Sequence, residues 1–237
     1  MNANPHSGLG RRGLLISFSG LDGSGKSTQI NNLVSVFNEA GLRVRLLAFW
    51  DDIVVAKPYR EGFVHKVYGS EPGVGSPEKP VKRRDKNVRA WYLTLARPLL
   101  YLLDAVHLRM VIAKARKSHG DVIILDRYIY DELANLPLGN PLTRAFVSLI
   151  SWIVPRPNVA LLLDADPDAA VARKPEYPAE FMHECRASYF RLAELVGHMT
   201  VIPPLPLEQA KHAVEAAVQS RWSREAAEEA RFAPQQV

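Results

Sequence analysis

Cysteine is nearly absent: Cys185 is the single one in 237 residues. That excludes an internal disulfide framework and any cysteine-rich metal site, and it fits a reducing cytoplasmic setting. Long apolar runs are missing too, since no stretch of 18 apolar residues occurs, so no membrane span is expected. The first twelve residues are polar and glycine-rich and lack the apolar stretch of a signal peptide, so residues 1–12 read as a disordered leader. There is no internal repeat and no low-complexity block. What is present is enough to fold: 47% hydrophobic residues supply a full core, and 23% charged residues is ordinary for a soluble chain. The length fits one domain, taken as residues 13–219, followed by a charged tail over 220–237. A formal charge of +5 suits a polyanionic ligand, but it suits nucleic acid equally and does not choose between them.

Hydrophobic periodicity gives the order of elements. Residues 14–19 are a short apolar run, the length of a buried strand, and a glycine-rich turn follows. Ile30, Leu33, Val34 and Phe37 then recur at helical spacing, and Gly41 stops that helix. Further strands are expected at 43–49, 122–125, 159–163 and 200–202, with helices between them. Strand, helix and strand in this order predict an α/β chain with a five-stranded parallel sheet flanked by helices on both faces. Residues 51–87 are irregular and proline- and glycine-rich, a long loop with a basic cluster. After it, Trp91, Leu95, Leu99, Leu102, Val106, Met110 and Ala113 form one apolar stripe on a long helix, which Pro98 bends or divides.

The first strand runs into Gly20-Leu-Asp-Gly-Ser-Gly-Lys-Ser27, which matches G-x-x-x-x-G-K-[ST] in the required strand–turn–helix context. Glycines let backbone N–H groups turn inward around a phosphate at the positive end of the following helix. Gly20, Gly23, Ser24, Gly25, Lys26, Ser27 and Thr28 are therefore the expected ATP-binding residues, with Lys26 reaching the β- and γ-oxygens and the Ser27 hydroxyl ligating Mg2+. A glycine-rich turn that merely opens a helix is the bland alternative. No N-K-x-D motif of the GTPases is present, and the length favours a compact nucleoside or nucleotide kinase on a P-loop NTPase fold.

The phrase from Phe18 to Thr28 resembles the opening of thymidylate kinases, and Val122-Ile-Ile-Leu-Asp-Arg-Tyr128 is similar to that family's strand ending in Asp-Arg-Tyr. Leu161-Leu-Leu-Asp-Ala-Asp-Pro167 and the stretch from Glu180 to Tyr189 follow in family order. The resemblance implies ATP and Mg2+ as cofactors and a small nucleotide or nucleoside acceptor, with dTMP and ATP giving dTDP and ADP as the default. It also implies a homodimer and no nucleic-acid or membrane partner. Asp126 would hold the Mg2+ shell through water, and Arg127 would lie over the phosphates; a helix cap and a salt bridge are their structural alternatives. No cation stands between Leu21 and Gly25, so Arg173 and Lys174, in a lid at about 167–180, would supply charge to the γ-phosphate. Asp22 would position the acceptor or metal, or else bond the loop backbone.

The acceptor side departs from the family. Where thymidylate kinases carry an arginine after the second strand, this chain has Asp51; on the long helix Tyr101 and Asp104 match, but the next arginine has become Ala105. Arg97, Tyr101 and Asp104 share one helix face and, with Asp51, are the candidate acceptor-binding residues. An acid at this place suggests a second possibility, a deoxynucleoside kinase-like enzyme in which Asp51 or Asp52 takes a proton from a hydroxyl acceptor. Otherwise the pair caps a helix. A third possibility is a regulatory or nucleic-acid-associated NTPase.

Overall fold

The computed structural model describes residues 13–55, 91–118, 121–175 and 177–232, and their side chains except at 91–97 and 225–232. The leader, loop residues 56–90 and the Arg97 side chain lie outside the described residues.

Among the described residues, five strands make one parallel sheet: β1 Leu14–Gly20, β2 Val44–Ala48, β3 Val122–Asp126, β4 Val159–Leu163 and β5 Met199–Ile202. Their spatial order is β2-β3-β1-β4-β5. β1, β3 and β4 are mostly apolar along their length, with Ser17 and Ser19 in β1 the buried exceptions, because a parallel sheet is covered on both faces. Side chains alternate between those faces with period two. Leu14, Ile16 and Phe18 face one core, with Ile30, Leu33 and Phe37 of α1 (Lys26–Glu39) and Val214 and Val218 of α7 (Leu207–Phe232). Leu15, Ile123 and Leu125 face the other, against α2 (Trp91–Lys117), α3 (Ile129–Leu133), α4 (Pro141–Ile153) and α6 (Ala179–Val196). A short helix, α5 (Pro167–Arg173), precedes α6. The P-loop NTPase architecture expected of the sequence is the one found.

The expected stripe on α2 is wrong in its face. Leu99, Val106 and Met110 are exposed, at 58%, 42% and 58%, and Tyr101, Ala105, Leu108, Ile112 and Ala115 are buried instead. Both sides of this helix are apolar, so spacing cannot tell which one the sheet receives; the small Ala105 and Ala115 allow the close approach. Pro98 lies inside the helix without ending it. Two short elements escape the periodicity: α3, five residues long, and a π-helical turn over Phe49–Ile53 directly after β2. The last helix continues to Phe232, beyond the expected domain end at 219.

Candidate active site

The C-terminal ends of β1 and β3 lie side by side, with Phe18 opposite Asp126. In α/β sheets ligands bind at this end. β1 terminates at Gly20 with φ +139, where any Cβ would run into the carbonyl of Leu163 on β4. Gly23, at φ +80, lies against α5: a Cβ there would come within 2.9 Å of the Ala170 carbonyl oxygen. The loop therefore threads between β4 and α5 because two of its residues have no side chain. Gly25, left-handed at φ 86, turns the chain into α1. No side chain caps that helix, which leaves its first N–H groups aimed out of the loop. Ser27 and Thr28 are exposed there.

Lys26 crosses the inside of this loop. Its Nζ donates to the Gly20 carbonyl at 2.9 Å and to the Leu21 carbonyl at 2.7 Å, with Ser24 Oγ at 3.4 Å. Burial, with the neighbouring Arg127 charge, pulls its pKa down to about 8. An ammonium that is costly to keep charged here gains most from anionic oxygens.

Asp126 ends β3, half-buried between Phe18 and Ala48 of the flanking strands. The next residue, Arg127, has φ 67, a left-handed conformation uncommon outside glycine. Its N–H donates to the Phe18 carbonyl at 3.0 Å, turning the chain back over β1. The guanidinium then bridges two acids, Asp22 of the phosphate loop and Asp131 of α3, the latter at 3.1 Å. Burial opposes its charge, but Asp131 and Asp22 outweigh that and hold its pKa above the ordinary arginine value. The structure thus brings Asp22, Lys26, Asp126 and Arg127 together.

Arg173 and Lys174 stand exposed at the end of α5. That helix starts at Asp166, which accepts from Ala169 N–H at 2.9 Å, and its middle touches Gly23. Beyond α5, Arg186 of α6 forks onto both oxygens of Asp164, each at 2.6 Å, tying α6 to the end of β4.

The acceptor-side candidates are arranged differently. Asp52 Oδ2 accepts from Ala48 N–H at 2.7 Å and closes the turn after β2 from within it; no helix begins at Ile53 for the pair to cap, because Ile53 ends the π-helical turn. Asp51 is exposed beside it. Asp104 is fully buried and accepts from Val55 N–H at 2.8 Å, while His107 Nδ1 lies 2.6 Å from the Ile53 carbonyl. Tyr101 is buried at 7% exposure and Ala105 at 0%. Asp104 thus holds the end of the turn from within the core, and Tyr101 is buried rather than on an open face.

Sequence reasoning missed Ser19, Asp131 and Tyr189. Ser19 Oγ donates to Asp131 Oδ2 at 2.7 Å and Tyr189 OH to Asp131 Oδ1 at 2.7 Å. A serine in an otherwise apolar buried strand, and an acid four residues past Arg127, were the available signals.

A nucleotide-phosphate loop on a parallel α/β sheet, with a buried lysine and an arginine converging on it, defines a P-loop phosphotransferase. No protein-family model matches the chain. It is similar to a probable thymidylate kinase of Pyrococcus abyssi, 27% identical over 201 residues that cover 81% of this chain and 88% of the relative. A thymidylate kinase of Bifidobacterium longum subsp. infantis is 28% identical over 221 residues, covering 88% and 87%. The crystal structure of thymidylate kinase from Ehrlichia chaffeensis superposes with a TM-score of 0.56 at 18% identity, covering 88% of this chain and 99% of that one; it bears on the fold. These relatives, at modest identity, support reading the chain as thymidylate kinase-like, a P-loop nucleoside or nucleotide kinase.

Proposed function

We propose that this enzyme transfers the γ-phosphoryl group of ATP to dTMP, giving ADP and dTDP. The observation that carries the proposal is the convergence of Lys26 and Arg127 on the phosphate loop. Thymidylate kinases matching more than four-fifths of the chain supply the acceptor.

An oxygen of the acceptor phosphate attacks the γ-phosphorus, and the bond from that phosphorus to the β–γ bridging oxygen breaks. A phosphate oxygen is already nucleophilic near neutral pH, so the protein's work is alignment and neutralisation of charge. Backbone N–H groups from Gly23 to Ser27 hold the β-phosphate, and Lys26 spans the β- and γ-oxygens. Arg127 meets the moving phosphoryl group with a planar fork suited to two oxygens. Asp22, paired to Arg127, fixes that fork relative to the loop. Arg173 and Lys174 bring further positive charge on a helix that already touches Gly23, and closure over the phosphates excludes water.

The residues fit Mg2+. An exposed Ser27 hydroxyl and the strand-end Asp126 carboxylate are hard oxygen donors, and among the described residues no group of three or more His, Cys, Asp or Glu forms a cage of its own. Such a pair suits an ion that keeps waters and takes substrate phosphates. When bound, it would neutralise charge developing on the β- and γ-oxygens.

A hydroxyl acceptor is not favoured, because the Asp52 carboxylate is engaged by the backbone of its own turn. Asp51, Arg97, Tyr101 and Asp104 remain the proposed acceptor-side residues, with Asp104 acting through its bond to Val55 N–H. Among the described residues no helix is long and apolar enough to cross a membrane. We infer a cytoplasmic enzyme, and a homodimer on family likeness. Incubation with labelled ATP and a panel of nucleosides and monophosphates tests the proposal: label should enter dTDP. Labelling of nucleosides but not monophosphates would overturn it.

A further inference from the structure

Asp131 has no assigned role, yet its carboxylate lies beside the site and is bonded through both oxygens. It is 5% exposed and accepts four hydrogen bonds from four residues. Oδ2 takes Ser19 Oγ–H at 2.7 Å and Tyr128 N–H at 3.1 Å. Oδ1 takes Tyr189 O–H at 2.7 Å and Arg127 Nη1–H at 3.1 Å. The donors come from β1, the β3–α3 turn and α6, so one side chain ties three elements together behind the phosphate loop.

Two separate features say that this network holds Arg127 and not merely the core. The first is the left-handed backbone of Arg127, at φ 67, a conformation that persists only where its surroundings over-determine it. The second is the asymmetry of the guanidinium. One amino group is bound to the buried Asp131, while the other reaches Asp22 on the phosphate loop. An arginine carries several rotatable bonds, and losing that freedom during the reaction would raise the barrier. A buried anion fixed by Ser19, Tyr128 and Tyr189 removes the freedom beforehand.

We propose that Asp131, braced by Ser19 and Tyr189, is the positioning residue that aims Arg127 at the transferring phosphate. This deepens the phosphotransferase reading and rests on it. Asparagine cannot replace Asp131 here. If its oxygen faces Arg127, its amide N–H faces the Tyr128 N–H; if reversed, it faces Arg127. Because Tyr189 lies on the helix that follows the lid, the same carboxylate also links Arg127 to the lid's base.

The test pairs kinetics with the side-chain NMR signals of Arg127, assigned by their loss in Arg127→Ala. In Asp131→Asn we expect those signals to shift or broaden and kcat to fall roughly 100-fold, with KM for ATP changing far less. Tyr189→Phe removes one donor without leaving a buried charge unpaired; it should lower kcat roughly 3- to 10-fold and carries the test if Asp131→Asn does not fold. Folded variants with Arg127 signals unmoved and kcat within about twofold of wild type would overturn the proposal. The NMR arm needs no acceptor. If the wild type prefers an acceptor other than dTMP, that failure belongs to the substrate assignment, and kcat is then read on the acceptor it does use.

Discussion

Asp131 and Asp52 both follow the C-terminal end of a sheet strand, but they are used in opposite ways. Asp131 is buried and gathers donors from residues as distant in sequence as Ser19 and Tyr189. Asp52 is exposed and binds an N–H four residues away. The contrast extends to the regions around them. On the donor side, Asp22, Lys26, Arg127 and Asp131 are cross-linked between elements, which keeps charges in place for phosphoryl transfer. On the acceptor side, the turn over Phe49–Ile53 closes on itself, and Asp104 and His107 hold it from below. Charge geometry on the donor side is fixed by ion pairs between elements, whereas the turn after β2 is closed by its own carboxylate and held by two side chains of α2.

If that division holds, mutations on the two sides should fail differently. Lys26→Met keeps the length of the side chain but removes its charge, and kcat/KM should fall by about 1,000-fold or more with the fold intact. Asp104→Ala should act on stability, leaving the Val55 N–H unpaired in the core; denaturant unfolding should show a loss of about 2–3 kcal/mol. For pH, the Lys26 pKa of about 8 predicts that kcat/KM for ATP declines above pH 8. Kcat at saturating ATP should hold to higher pH, because phosphate oxygens keep the lysine charged. The same group has a folded pKa below its unfolded value of 10.5, so between those values the unfolded chain binds more protons and stability rises with pH. Above about pH 10, the buried hydroxyls of Tyr128 and Tyr189, held protonated by burial, reverse that slope. Asp52→Ala should cost about 1 kcal/mol through loss of its bond to the Ala48 N–H. Asp51→Asn should leave kcat for dTMP within about twofold and act on KM for dTMP alone, since a phosphate acceptor needs no base; a collapse in kcat would favour the hydroxyl acceptor.

The donor half was readable from sequence because its determinants are local. Gly20, Gly25, Lys26 and Ser27 sit at fixed spacing in one turn, and the strands beside them are apolar runs that a parallel sheet requires. Asp126 and Arg127 were legible as a pair at a strand end. Asp131 was not, since its partners are 112 and 58 residues away and only folding brings them to it. The face of α2 failed for another reason: apolar residues line both sides, and the small Ala105 and Ala115 lie inward while Leu99 and Met110 lie outward. Asp52 was open between base and cap because both need an acid at a strand end, and neither reading foresaw its bond to Ala48 N–H within the turn.

Labelled ATP offered to the panel of nucleosides and monophosphates separates the two kinds of acceptor. The donor site described here, joined to an acceptor edge without a committed base, predicts label in dTDP and little in any nucleoside product. Label in nucleoside monophosphates, with dTMP left untouched, would contradict it.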